Sequence, residues 1–96
     1  MIRDREPPLS AEGAEHLAIG ALAFLASEED ELGRFLALAG IEAAMLRDAA
    51  ADPAFLAGVL DYYLDNESLL LVFAARQNIR PDMIAAARRL LERGAT

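Results

Sequence analysis

The side chains of this sequence able to do chemistry are few: one histidine, a run of four acids, three carboxylates around a helix junction, two adjacent tyrosines and a late group of arginines. His16 stands alone. A metal site needs further ligands at set spacings, and the chain has no cysteine, no second histidine and no HExxH-type pair. His16 is therefore read as a surface residue. Glu28, Glu29, Asp30 and Glu31 are contiguous, so on a helix they point in four directions. A calcium loop instead alternates its oxygen ligands around a glycine turn. The run suits the positive end of a helix macrodipole.

Asp61, Asp65 and Glu67 can do acid–base work only if burial separates their proton affinities. They are read as a wet face and a cap. Tyr62 and Tyr63 project about 100° apart on a helix, so one is expected in the core and the other at its rim. Walker, dinucleotide-binding and nucleophile-elbow patterns are absent from the sequence. No catalytic, cofactor-binding or metal-ligating residue is assigned, and no cofactor is expected.

Arg80, Arg88 and Arg89 are candidate nucleic-acid contacts. Residues 67–93 have the outline of a helix-turn-helix, with Asn78 in the turn and Ile79 and Ile84 at buried positions. A recognition helix reads bases mostly from its N-terminal turns. Here those turns offer Pro81, Asp82 and Met83, and two of the three arginines lie at the far end. The charge balance also disfavours nucleic acid. Residues 10–79 carry twelve acids against three arginines, and only residues 80–96 are positive, within a net charge of −7. An acidic body repels phosphate.

The elements that position these groups are helical. Ala and Leu dominate and β-branched residues are scarce, the composition of helix formers. Ninety-six residues suit one domain. Residues 1–9, with Pro7 and Pro8, read as a flexible tail, and residues 10–94 as a single helical domain. The charged, proline-containing start is unlike a signal peptide. The apolar run Leu17–Ala26 is too short to span a bilayer. No membrane association is expected, and the cytoplasm is the expected location.

Ser10 is placed to cap the first helix, whose inward stripe is Ala14, Leu17, Ala18, Ala21, Phe24 and Leu25. Ser27 is read as the cap of a second helix, with Gly40 at its left-handed end. A short third helix runs from Glu42 to Ala49 through Met45 and Leu46. Asp52-Pro53 opens a fourth, with Leu56, Val59, Leu60 and Tyr63 inward. Asp65 or Asn66 caps a fifth, whose run Leu69–Ala75 needs cover on several sides. Pro81 opens a sixth, with Met83, Ile84, Ala87, Leu90 and Leu91 inward and Gly94 as its stop.

A shift of 38 residues aligns segment 14–51 with 52–89 without a gap, and nine pairs are identical. Gly20 meets Gly58, Phe35 meets Phe73, Ile41 meets Ile79 and Met45 meets Met83. Gly40 meets Asn78, both tolerant of the left-handed conformation. The fold expected is all-α, a compact array of six short helices in two tandem three-helix units. Units this small need each other's cover.

The segments LAIGALAFLA, LGRFLALAGI, LRDAAADPAFLAGVLDYYLDNESLLLVFA and IRPDMIAAARRLL together resemble a small alphaproteobacterial family, domain of unknown function 3572. The resemblance runs from about residue 14 to 91. Its more specific parts are Asp-Pro-x-Phe-Leu at 52–56 and Leu-Gly-Arg-Phe-Leu at 32–36. It implies a short, helical, cytoplasmic protein and supplies no activity, cofactor or catalytic residue. Family members typically carry a proline in the first turn after the glycine at position 40. This chain has Glu42-Ala43-Ala44 there.

The function expected is that of a non-enzymatic protein–protein interaction module, its partner another protein or a second copy in a homodimer. Ile19, Gly20, Ala23 and His16 form the candidate partner surface, because they lie opposite the inward stripe of an apolar helix. The alternatives are a small transcriptional or nucleoid regulator using residues 67–93, and an enzyme with a carboxylate site near Asp61 and Asp65.

Overall fold

A computed structural model describes residues 9–95. The tail expected at 1–9 lies outside the described residues except for Leu9, which packs against the core. Six α-helices follow in order: α1 (Ala11–Ala26), α2 (Glu29–Ala39), α3 (Leu46–Ala49), α4 (Pro53–Leu64), α5 (Glu67–Gln77) and α6 (Asp82–Ala95). A single 3₁₀ turn, Ala43–Met45, precedes α3. No strand occurs among the described residues, so the fold is all-α.

The centre is a trio of helices. α6 lies along both α4 and α1, and α1 touches α4. The contact face of α1 is Ala14, Ala18, Ala21 and Leu25, all fully buried. These fall at intervals of four, three and four residues, one stripe of a helix. Three of the four are alanines, which let a neighbouring backbone approach closely. Against them pack Val59, Leu60 and Tyr63 of α4, and Ile84, Ala87 and Leu91 of α6. Helix α2 rests on α1 and α4, while α5 follows α4 closely in chain and in space.

Local chemistry sets the helix ends. The Ser10 Oγ accepts the Gly13 N–H at 2.9 Å, and the Asp52 carboxylate accepts the Ala54 N–H at 3.0 Å. Each satisfies one of the donors a helix start leaves unpaired. Two helices end on left-handed residues, α2 at Gly40 (φ 73°) and α5 at Asn78 (φ 57°). These positions are 38 apart in sequence. So are the first residues of α2 and α5, Glu29 and Glu67, and the last residues of α1 and α4, Ala26 and Leu64.

Several expectations are corrected. Ser27 does not cap α2. It ends α1, its hydroxyl donating to the Phe24 carbonyl at 2.7 Å, and Glu28 occupies the start of α2 with no side-chain cap bond. A serine at a junction this tight can turn back to the helix it leaves. The third helix is shorter than expected: Glu42–Met45 forms a cap and a 3₁₀ turn, and Met45 is exposed. The first unit has no long third helix to match α6. Leu22, off the expected stripe, is buried. The apolar run of α5 is covered on one side only. Leu70, Phe73 and Ala74 are buried, while Leu71 and Val72 face outward. Gly94 does not stop α6, which continues to Ala95.

Candidate functional site

The side of α2 that faces α4 carries Phe35 and Ala39, with Leu38 beside them. The opposing side of α4 carries Ala54, Phe55, Gly58, Asp61 and Tyr62. Between the two helices lies an open cleft of about 350 Å³, to whose lining Asp65 also contributes. Its floor is a run of edge-to-face rings: Phe35 stands 5.7 Å from Phe55 and 5.6 Å from Tyr62 between centroids. Such packing is favourable for aromatic quadrupoles and holds the floor in one arrangement. Leu38 overhangs it at 77% exposure, an unusual position for a large aliphatic side chain beside an apolar hollow.

Tyr62 and Tyr63 are both buried, which corrects the expected division into core and rim. The 100° between them sends Tyr63 into the trio and Tyr62 under α2. The Tyr63 hydroxyl donates to the Ala21 carbonyl at 2.6 Å. The Tyr62 hydroxyl donates to Glu31 at 2.8 Å, and Arg34 pairs with the same carboxylate at 3.3 Å. Burial pushes the Tyr63 phenol far up, and the Glu31 and Tyr62 charges push it further. The Tyr62 phenol is also raised, first by burial and then by its bond to Glu31.

Asp61 and Asp65 do line the cleft, on the side where an acid–base site was considered. The Asp61 carboxylate is engaged by α6: Arg88 donates from Nε to one oxygen at 2.7 Å and from Nη2 to the other at 3.2 Å. Asp61 in turn drives the Arg88 guanidinium further up, with a smaller contribution from Glu92. This two-pronged pair fixes α6 to α4. Glu67 is exposed at the start of α5. No group of three or more potential metal ligands occurs among the described residues.

The candidate partner surface lies on α1. Ile19 is 48% exposed. His16 and Ala23 are exposed and Gly20 is half-buried. His16 and Gly20 line a smaller cleft of about 160 Å³ between α1 and α5, with Gly13, Leu17, Phe73, Gln77 and Ile79. Ile19 and Ala23 stand outside that lining. The candidate nucleic-acid residues are dispersed in their engagements. Arg88 is held by Asp61 and Glu92, Arg80 lies 3.5 Å from Asp82, and Arg89 is exposed.

The two clefts are counterparts. Moving the smaller cleft's His16, Leu17, Gly20, Phe73 and Gln77 by 38 positions, forward in α1 and backward in α5, gives Ala54, Phe55, Gly58, Phe35 and Ala39. The rings repeat the relation: Phe24 lies 5.8 Å from Phe73, as Tyr62 lies 5.6 Å from Phe35. The chemistry differs. Where Leu38 overhangs the larger cleft, its counterpart Arg76 lies over the Phe24 ring at 5.6 Å. Periodicity alone does not mark Leu38, Phe55 and Gly58 as a surface, because each fits an amphipathic helix. The 38-residue shift is the signal that links Gly58 to the already singled-out Gly20.

No curated protein and no solved structure matches the chain. The family model described as "Protein of unknown function (DUF3572)" matches residues 11–94. That match covers nearly the whole chain, and the protein belongs to the DUF3572 family.

Proposed function

We propose that this protein is a non-enzymatic interaction module of the cytoplasm whose docking site is the α2–α4 cleft. The observation that carries this reading is an aromatic-floored hollow with Leu38 overhanging it almost fully in solvent. Concave apolar surfaces rimmed by polar groups are where proteins take ligands and partners. Two of the polar groups at this rim are held in structural bonds. Asp61 is bound by Arg88 and the Tyr62 hydroxyl by Glu31, which favours docking over acid–base catalysis. The arginine engagements likewise favour a protein partner over nucleic acid. Helix α1, with Ile19, Gly20, Ala23 and His16, is a second, smaller face of the same kind.

A photo-crosslinking amino acid placed at Leu38 tests the reading in the native cytoplasm. Leu38 is exposed and stands outside the core cluster, so the substitution is expected to leave the core intact. A discrete adduct formed from position 38, and not from exposed Glu12 on α1, is the expected result. An adduct of twice the chain mass identifies a second copy as the partner. No adduct, or the same products from both positions, overturns the proposal.

A further inference from the structure

We infer that the α2–α4 cleft takes a basic amphipathic helix from a different protein. This rests on the reading of the cleft as a docking site and names its occupant. The first observation is Gly58. Mid-helix glycine destabilises a helix relative to alanine, and a Cβ at Gly58 would meet nothing within 4 Å. No contact among the described residues asks for glycine there. With Ala54 one turn earlier, it leaves a low strip on the α4 wall between the larger side chains Phe55, Asp61 and Tyr62, where a second helix can lie close against the backbone. The aromatic floor then receives its apolar side chains. An all-α protein has no strand edge to extend, and two helical walls around a trough suit helix-in-groove recognition.

The second observation is charge. Along α4 the lining passes from apolar Ala54 and Phe55 to Asp61 and Asp65 at the helix end. The acidic character of that end rests on Asp65, which is exposed, because the Asp61 charge is shared with Arg88. The chain as a whole carries a net charge of −7. A helix with an apolar stripe and arginine or lysine beside one end of it complements this surface along its length. A second copy does not. It brings the same negative charge, and its basic helix α6 is already packed on α4 and α1.

The test uses two synthetic, fluorescently labelled helical peptides of about five turns. Both carry leucines at one-face spacing, and they differ only in having arginine or glutamate beside that face. Fluorescence anisotropy with the full chain is expected to show the arginine peptide binding roughly ten-fold or more tightly at low salt, the gap narrowing as salt rises. Gly58→Leu, which grows into open space, is expected to abolish binding with the melting curve retained. Gly33→Leu, an equally open position on α2 outside the lining of either cleft, leaves binding unchanged. Equal binding of the two peptides, binding by neither, or undiminished binding to Gly58→Leu overturns the inference. A crosslinked partner at Leu38 combined with no preference for the arginine peptide leaves the docking reading standing and removes the basic helix as its occupant.

Discussion

At the scale of single residues, the two tyrosines make the sharpest prediction, because the chain has no tryptophan to mask them. Both phenols are raised above their ordinary value. A raised phenol keeps its proton in the folded chain at a pH where the unfolded chain has lost it. The stabilisation is therefore complete below about pH 10, the unfolded value, and is lost as pH rises through the folded values. Absorbance near 295 nm is expected to show less phenolate in the native protein at pH 10 than in the unfolded chain, with the rest appearing as helical circular dichroism is lost. Equal phenolate in the native and unfolded chains at pH 10 contradicts the burial. Tyr63→Phe removes the hydrogen bond to Ala21 and is expected to lower stability by about 1 kcal/mol, read by denaturant titration. Sequence spacing supplies the divergence of the two rings. It cannot supply the depth of Tyr62, because the cover comes from Phe35 and Glu31 of α2, about thirty residues earlier.

At the scale of elements, three glycines separate what a helix needs from what a surface needs. Gly40 ends α2 at φ 73°, a conformation in which a Cβ is strained. Gly20 and Gly58 lie inside α1 and α4 beside open space where a side chain would start. Gly40→Ala is expected to lower stability by about 1 kcal/mol, and Gly20→Ala and Gly58→Ala each to raise it by about 0.5–1 kcal/mol. Thermal melting reads the three directly, and a destabilising Gly58→Ala would mean that α4 is packed there. The legible parts of the elements were those written in short-range chemistry: Ser10 and Asp52 as caps, Gly40 and Asn78 as left-handed ends, the alanine stripe of α1. The parts that stayed hidden depend on what lies opposite. Ser27 has two helices to serve and bonds back to α1. The run Leu69–Ala75 reads as needing cover on several sides, but no described element passes over Leu71 and Val72.

At the scale of the whole molecule, the two halves are unequal partners in one core. Phe24 reaches Phe73 and Phe35 reaches Tyr62, so each half places a ring against a helix of the other. The two ring contacts join α1 to α5 and α2 to α4 across the chain. The trio at the centre is shared unevenly: α4 and α6 come from the second half, and only α1 from the first. Residues 9–51 then keep no large partner for the buried face Ala14, Ala18, Ala21 and Leu25, whereas residues 52–95 keep the α4–α6 contact but lose its cover. Synthesised separately, the first fragment is expected to be largely unfolded, since short helices in water depend on packing rather than propensity. The second is expected to be helical but without cooperative melting. Mixed at equal concentration, they are expected to gain helicity beyond the sum of their separate spectra and to melt in a single transition. A first fragment that folds cooperatively alone would show two cores instead of one. It would also make the α2–α4 cleft a seam between domains, free to open, rather than a fixed groove on a single body.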